Sequence, residues 1–310
     1  MTASRDLARR LCLTLLLDVV LAAGAASQTA VASLPGSTRS AGLGGAGVAL
    51  VGDAGALFAN PAGIATVRHI AVEGSFEPYL GGATLTSGAF AIRLPRFDLG
   101  AGVQALDYGS ETEIVPDPAT GGRTGMPTGN TFRATDLLGV GTLVYRYGLI
   151  AVGVSGKYVR QQIGGWSADG WAGDGGLTIA VFDILAFGVS VQNIGGDLGD
   201  GAQLPHRTRA GFTMNYADPQ GTYRLLTTLE GQWLVGGKPA FVAGLEGGIV
   251  TGGVGLVGRL GYAPSRPAND ASPLSFGAGV ELGRLHFDYA YQSYDVLGGG
   301  LSRIGVRWTP

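Results

Sequence analysis

The sequence predicts an all-β fold, namely a transmembrane antiparallel β-barrel of about 14 strands with a small N-terminal plug segment that contains a short helix. Three observations support this prediction. Charged residues make up 14% of the 310 residues, glycine is abundant at 56 residues, and apolar and polar residues alternate in runs of about ten. Soluble domains carry roughly 25% charged residues, whereas membrane barrels show short alternating segments that are separated by turns.

The first 27 residues have the organisation of a secretory signal peptide. Three arginines precede an apolar run over residues 11–23, and small residues follow at 25–27. An uncleaved anchor helix is the alternative, but the apolar run is shorter than the ~20 residues that a spanning helix needs. Cleavage before Gln28 would remove Cys12, the one cysteine, so we expect no disulfide and no thiolate metal site in the mature chain.

Residues 28–67 are predicted to form the plug, or hatch. Glycine and alanine dominate residues 42–52, and Asp53 is placed to cap a short helix over Ala54 to Ala59. The run Asn60, Pro61, Ala62 and Gly63 then ends that helix, because the residue before a proline avoids the helical conformation. A compact segment of small residues of this kind fits inside a barrel lumen.

Residues 68–310 are predicted to form the transmembrane barrel. In residues 285–292, Leu285, Phe287 and Tyr289 share one face of a strand, and His286 and Asp288 share the other. So few charges remain in the chain that the apolar face is expected to contact lipid. The predicted strand cores are 68–77, 82–92, 98–108, 132–145, 149–160, 171–181, 184–193, 206–216, 223–234, 239–248, 253–262, 273–282, 284–293 and 301–308.

Three further features of the barrel can be predicted. The longest connection, residues 109–131, is expected to be an extracellular loop, with both chain ends in the periplasm. Aromatic residues near strand ends, among them Tyr79 and Tyr108, predict interfacial belts. A strand kink at Gly100 or Gly102 would open the wall sideways, since glycine within a strand marks such bends.

A set of charged side chains is predicted to face the lumen because of the two-residue period of the strands. These residues are Lys157, Arg207, Arg209, Glu230, Glu246, Arg259, Glu281, His286, Asp288, Arg303 and Arg307. They could form a selectivity lining. The favoured interpretation is structural: paired charges fill the lumen and hold the plug, because buried charges must be compensated. Asp288 is expected to pair with Arg303 or Arg307.

Catalysis and cofactor binding have little support in the sequence. The three histidines lie on separate predicted strands, and no Gly-x-Ser-x-Gly motif or closely spaced histidine pair is present. We therefore expect a protein that is not an enzyme and that holds no metal and no cofactor. The absence of a basic patch argues against a nucleic-acid partner.

Several motifs resemble those of the PorV/PorQ family, which belongs to the FadL-like outer-membrane barrels. The resemblance rests on residues 42–65, with Asn60-Pro61-Ala62 as the most specific part, and on residues 157–161, 191–196, 285–291 and 297–299. It spans the chain from about residue 40 to the C-terminus. It implies a 14-stranded barrel in the outer membrane, surrounded by outer-membrane lipid, and it assigns a plug role to Asn60, Pro61 and Ala62.

Two functions remain open. The family resemblance favours an accessory or carrier barrel for protein secretion of the type IX kind, with a secretion-system or cell-surface protein as partner. The alternative is a FadL-like channel that takes up small hydrophobic molecules and is gated by the plug. A long apolar loop over residues 114–131 would support the first function, and a sideways opening of the wall would support the second.

Overall fold

The chain forms a closed antiparallel β-barrel of 14 strands, which confirms the predicted fold class. The computed structural model describes residues 30–181, 184–199, 204–218, 220–264, 271–294 and 299–310. The predicted signal peptide, with Cys12, therefore lies outside the described residues, as do residues 297 and 298 of the last motif. The strands are β1 (Ile70–Pro78), β2 (Thr84–Arg93), β3 (Phe97–Pro116), β4 (Gly125–Tyr147), β5 (Ile150–Ile163), β6 (Trp166–Val181), β7 (Leu185–Ile194), β8 (Arg207–Ala217), β9 (Tyr223–Leu234), β10 (Ala240–Thr251), β11 (Val254–Tyr262), β12 (Ala271–Leu282), β13 (Leu285–Tyr294) and β14 (Gly299–Trp308).

The barrel closes between its first and last strands. Strand β1 pairs with β14 over residues 72–76, with Val72 opposite Trp308 and Phe76 opposite Ile304. Every other strand pairs with its neighbours in the sequence. Closure leaves none of the described strands with an open edge along the wall, and unpaired edges are the surfaces through which sheets aggregate.

The two-residue period places opposite chemistries on the two faces of the wall. On β13, Phe287 is 45% exposed, whereas its neighbour Asp288 is 8% exposed. Strand β11 shows a strict alternation of exposed and buried positions over its whole length. Large apolar side chains therefore cover the outer face, and the polar and small residues line the lumen.

The predicted loop over residues 109–131 is mostly strand, which corrects that prediction. Strands β3 and β4 continue as a two-stranded ribbon until Pro116 lies opposite Gly125, with register shifts after Asp107 and Thr112. Threonine, isoleucine and valine favour this extended pairing, and only the short turn of residues 117–124 departs from it. The end of the barrel that carries this ribbon is called the hairpin end, and the opposite end, where the chain enters β1, is called the entry end.

Short helices occupy the region before β1. Among the residues that the structure describes, they are one α-helix, α1 (Thr38–Gly42), and the 3₁₀ helices Ala30–Ser33, Ala54–Phe58 and Pro61–Thr66. Two further 3₁₀ helices of the described residues, Leu80–Gly82 and Pro118–Thr120, lie in connections. Asp53 precedes the helix at Ala54 but makes no capping hydrogen bond, contrary to the prediction. None of the helices among the described residues is long and apolar enough to cross a membrane.

Candidate functional site

Residues 30–67 lie inside the barrel and are called the lumen segment. Side chains on the inner faces of many strands bind its backbone. Examples are Ser87 on β2, which donates to the carbonyl of Gly36 at 3.1 Å, and Ser190 on β7, which donates to that of Ala59 at 2.7 Å. The segment is therefore held by the wall from several directions.

Asn60 connects two parts of the lumen segment with the wall. Its side chain is fully buried and donates from Nδ2 to the carbonyl of Val48 at 2.7 Å and to Oγ1 of Thr178 on β6 at 3.1 Å. Its Oδ1 accepts from the backbone amide of Ala62 at 3.0 Å, while Pro61 occupies the first turn of the helix. Asparagine can cap a helix and donate at the same time, because its amide carries both an acceptor and donors.

Small residues let the lumen segment approach the wall and fold on itself. A Cβ at Gly63 would lie 2.9 Å from the Cβ of Ala56. On β7, a Cβ at Gly188 would overlap the carbonyl oxygen of Val48 and lie 2.6 Å from its carbonyl carbon. Glycine is required at Gly188 because the backbone of the lumen segment lies against the backbone of the wall there. A cavity of about 20 Å³ between Pro35, Asp53 and Arg209 has room for about one water molecule.

A buried ionic network joins the lumen segment to β10 and β14. Arg39 on α1 binds Asp53 through Nη1 at 2.8 Å and Glu246 through Nε at 2.8 Å and Nη2 at 2.9 Å. Asp53 also binds Arg307. Burial raises the pKa of Asp53, but Arg307 and Arg39 outweigh burial and hold this pKa below its ordinary value. This carboxylate is used for pairing and not for helix capping.

The network continues along the wall through Arg259. This side chain binds Glu246 and Asp288, each at 2.6 Å. Asp288 lies 3.7 Å from Arg307, so that predicted neighbour is present but is not the closest partner. The other predicted partner, Arg303, lies elsewhere, because its Nε binds Glu77 on β1 at 2.6 Å.

A second charged contact holds the glycine-rich part of the lumen segment. Glu230 on β9 accepts from the backbone amides of Gly47 at 2.8 Å and Val48 at 2.9 Å. Arg209 on β8 binds Glu230 at 2.5 Å and donates to the carbonyl of Gly45 at 2.7 Å. Backbone amides that lack a helical partner are thereby satisfied by a carboxylate.

The remaining predicted lumen charges do not bind the lumen segment within the described residues. Lys157 on β5 binds Asp174 on β6 at 2.7 Å and Asn193 at 3.0 Å. Glu281 lies near the entry end, where it pairs with Arg224 and with Nδ1 of His286 at 3.2 Å. Arg207, on the inner face at the start of β8, is half-buried and forms no ion pair with a described residue.

The inner wall of β2–β6 toward the hairpin end is largely apolar, with Asp136 on β4 as a charged residue beside the apolar cluster. Its buried side chains, together with those of the lumen segment and the connection after β7 that cover them, include Val31, Leu85, Leu106, Leu138, Val159, Leu198 and Leu204. Tyr79 and Tyr108 pack against this cluster, and the hydroxyl of Tyr108 donates to Asp136 at 3.1 Å. These two tyrosines therefore face inward and do not belong to an interfacial belt, which corrects that prediction.

The wall shows no kink at Gly100 or Gly102, in contrast to the prediction. Pairing of β3 with β2 and with β4 is continuous through both positions. Their missing side chains serve packing instead. A Cβ at Gly100 would lie 2.8 Å from Cδ1 of Ile64, and one at Gly102 would lie 2.6 Å from Cζ of Phe58. The lumen segment fills the space that these glycines leave.

Sequence reasoning missed several residues of the site. Arg39 and Asp53 carry the charges of the lumen segment, and Glu73 and Glu77 on β1 receive contacts from Gly55 and Arg303. The two glutamates alternate with outward-facing residues, so parity alone would have placed them in the lumen. Within the described residues, no group of three or more His, Cys, Asp or Glu side chains could hold a metal ion.

Comparison with known proteins identifies the fold. No protein-family model and no curated protein matches the sequence of this chain. Among solved structures, the chain is similar to the Ralstonia pickettii toluene transporter TbuX, with 15% identity, 88% of this chain and 98% of that chain covered, and a TM-score of 0.60. The Pseudomonas putida toluene transporter TodX is 14% identical, with 88% of this chain and 97% of that chain covered and a TM-score of 0.56. A Pseudomonas aeruginosa FadL homologue is 13% identical, with 88% of this chain and 98% of that chain covered and a TM-score of 0.55.

These identities are low, so the likeness concerns the fold, which is that of FadL-type barrels. The finer resemblance to the PorV/PorQ family is not confirmed and stays a prediction.

Proposed function

We propose that the chain is an outer-membrane channel that takes up small hydrophobic molecules, with residues 30–67 as its plug. This was the alternative function suggested by the sequence, and the comparisons support it better than the secretion role. The observation that carries the proposal is the apolar inner wall of β2–β6. Barrel interiors are polar as a rule, so an apolar patch there needs a reason.

An outer-membrane location is supported by the outer face of the barrel. Apolar side chains that face away from the lumen are widely exposed, among them Val103, Val154, Ile249, Leu256 and Ile304. Such a continuous apolar surface is too large for a protein in water, and lipid would cover it. The hairpin end would then be extracellular and the entry end periplasmic.

The inner apolar wall suggests the chemical class of the ligand. A molecule that lies against Leu106, Leu138 and Val159 would be bound mainly by apolar contact. The wall charges nearby are bound within the protein, since Asp136 accepts from the hydroxyl of Tyr108 and Lys157 binds Asp174. The structural neighbours include transporters of toluene and a monoaromatic hydrocarbon channel. We therefore propose small aromatic hydrocarbons as the first ligands to test. Moving such molecules requires no catalysis, in line with the prediction that the chain is not an enzyme.

The secretion role stays a prediction without support from the comparisons. A long apolar loop over residues 114–131 would have supported it, but most of these residues belong to the ribbon of β3 and β4. Its exposed apolar side chains include Ile114 and Met126, and Ile114 is 65% exposed. Scattered surface residues of this kind are normal on proteins that bind no partner.

Uptake of labelled toluene by a Gram-negative host that lacks its own hydrocarbon channel tests the proposal. Cells that produce the chain should accumulate toluene several-fold faster than cells with an empty vector. The variant Leu138→Asn places a polar group on the inner wall and should lower the uptake rate at least threefold.

Leu137→Asn is the matched control. Leu137 precedes Leu138 on β4 but faces outward, with 38% exposure against 2%. Both variants should reach the outer membrane at wild-type levels, as judged by heat-modifiable migration on gels. Equal uptake with and without the wild-type chain would contradict the proposal, and so would equal effects of the two asparagines.

A further inference from the structure

The contacts between plug and wall divide into two sides by charge. Apart from Arg93, which lies at the exposed entry end of β2 and donates to the carbonyl of Val67 at 3.2 Å, the charged wall side chains among the described residues that bind the plug belong to β1, β8, β9, β10 and β14. They are Glu73, Arg209, Glu230, Glu246, Arg303 and Arg307. Arg303, for example, donates to the carbonyl of Pro35 at 2.7 Å. This side of the lumen is called the charged side.

Inside the lumen, beyond Arg93 at the entry end, the wall from β2 to β7 binds the plug by neutral contacts. On β3, Gln104 donates to the carbonyl of Pro35 at 3.3 Å, and on β7, Gln192 donates to that of Phe58 at 2.7 Å. Further neutral hydrogen bonds involve Ser87, Thr178 and Ser190 of the wall. Leu57, Phe58 and Ile64 of the plug make van der Waals contacts with glycines of the wall. This side is called the neutral side, and toward the hairpin end it continues into the apolar inner wall.

The two sides differ in what a hydrocarbon can replace. Separating plug and wall on the charged side would leave buried carboxylates and guanidinium groups without partners, and a hydrocarbon offers them none. Separating them on the neutral side uncovers apolar side chains and uncharged hydrogen-bonding groups, whose exposure costs less than that of buried charges. A hydrophobic molecule that enters the gap covers the apolar side chains again and therefore offsets that part of the loss.

We propose that the plug stays anchored on the charged side, and that hydrophobic molecules pass between the plug and the β2–β7 wall. The inference rests on the proposed function and adds the route and the fixed side to it. Gly305 on β14 marks the anchor, where the plug contacts the wall through Thr38. Gly153 on β5 marks the route, where the plug contacts the wall through Pro61.

Two engineered disulfides can fix one side at a time. The variant Pro61→Cys with Gly153→Cys joins the neutral side, where the two Cβ positions are 2.9 Å apart. The variant Thr38→Cys with Gly305→Cys joins the charged side, with 3.0 Å between the Cβ positions. Both distances need a similar small relaxation to reach the ~3.8 Å of a disulfide. Both variants carry Cys12→Ser, so that the signal segment adds no thiol.

Toluene uptake is measured for each variant after oxidation and again after reduction. The disulfide on the neutral side should lower uptake at least tenfold, and reduction should restore it. The disulfide on the charged side should leave uptake within twofold of its own reduced form. Loss of uptake with the charged-side disulfide, or full uptake with the neutral-side disulfide, would overturn the inference.

A labelling experiment covers the case in which a disulfide does not form. Single variants Ile64→Cys and Thr38→Cys report access to the two sides through their reaction with a charged maleimide. Toluene should raise the labelling rate of Ile64→Cys several-fold and leave that of Thr38→Cys unchanged. Equal acceleration at both positions would also overturn the inference.

The outcomes distinguish the inference from the proposed function. If the wild-type chain gives no toluene uptake, the proposed function itself fails. If the wild-type chain and both reduced variants take up toluene but the disulfides act in the opposite way, the channel remains and the assigned side is wrong.

Discussion

Arg39 of the plug and Glu246 of strand β10 face each other as a two-point ion pair, with N–O distances of 2.8 and 2.9 Å. Both side chains are buried. Arginine matches a carboxylate at two points because its guanidinium group is planar and carries donors in a fixed fork. The pair joins residues that are far apart in the sequence, so it forms only when the plug lies in the completed barrel.

Removing the charge of Glu246 should destabilise the folded chain strongly. In Glu246→Gln, Arg39 and Arg259 each lose a buried carboxylate partner, and breaking a buried pair in this way costs about 3–5 kcal/mol. The free energy of unfolding in detergent, followed by tryptophan fluorescence during a urea titration, measures the loss. Glu281→Gln is the control, since Glu281 faces the lumen but binds Arg224 and His286 instead of the plug. Equal losses in the two variants would argue against an anchoring role.

Replacing Asn60 should loosen the plug without opening the barrel. Asn60→Ala removes the donor to Val48 and Thr178 and the acceptor for the amide of Ala62. Because buried partners are left unsatisfied, we expect the free energy of unfolding to fall by about 1–3 kcal/mol. Faster proteolysis of the plug by an added protease would report the change. Asn130→Ala is the control, as its amide binds Glu113 on the exposed ribbon. A proteolysis rate equal to that of the control would count against the prediction.

A methyl group at Gly188 should push the plug away from β7. Gly188→Ala places a Cβ on the carbonyl of Val48, and overpacking of this kind costs about 1–3 kcal/mol. Gly141→Ala on β4 is the matched control, since a Cβ there would meet no atom within 4 Å. The midpoint of thermal unfolding should fall for the first variant only. A fall of the same size in both variants would show that strand glycines matter for another reason.

Acid should weaken the contribution of Asp53. Its pKa in the folded chain lies below its ordinary value because Arg307 and Arg39 outweigh the effect of burial. A carboxyl with a lowered pKa stabilises the fold fully above its unfolded pKa of about 3.9, and this stabilisation is lost as the pH falls through the folded pKa. The difference in unfolding free energy between the wild type and Asp53→Asn should therefore be constant near neutral pH and narrow in acid. A difference that is the same at every pH would contradict this expectation.

The barrel could be predicted well because the two-residue period is a local property of the chain. Leu285, Phe287 and Tyr289 alternate with polar residues, and the structure places them on the outer face as expected. The ribbon beyond Tyr108 was taken for a loop, because glycine and proline near Met126 resemble turn signals. Extended pairing across β3 and β4 overrides them.

The partners within the lumen could not be predicted to the same extent. The two-residue period shows that Asp288 and Arg303 face inward. It does not show which charged side chains across the lumen they bind. Asp53 shows this most clearly. Its position before a short helix suggests that it caps the helix, but its carboxylate oxygens accept hydrogen bonds from Arg39 and Arg307 instead. Such choices depend on distances across the barrel, which the order of residues along one strand does not contain.

The seam between β1 and β14 has a consequence for assembly. Arg303 and Arg307, on the strand that closes the barrel against β1, bind carbonyls of Pro35 and Ser37 and the carboxylate of Asp53 in the segment before β1. The wall and the seat of the plug thus both depend on β14. A chain shortened before β14 would lose the closing strand of the wall and these contacts of the plug together.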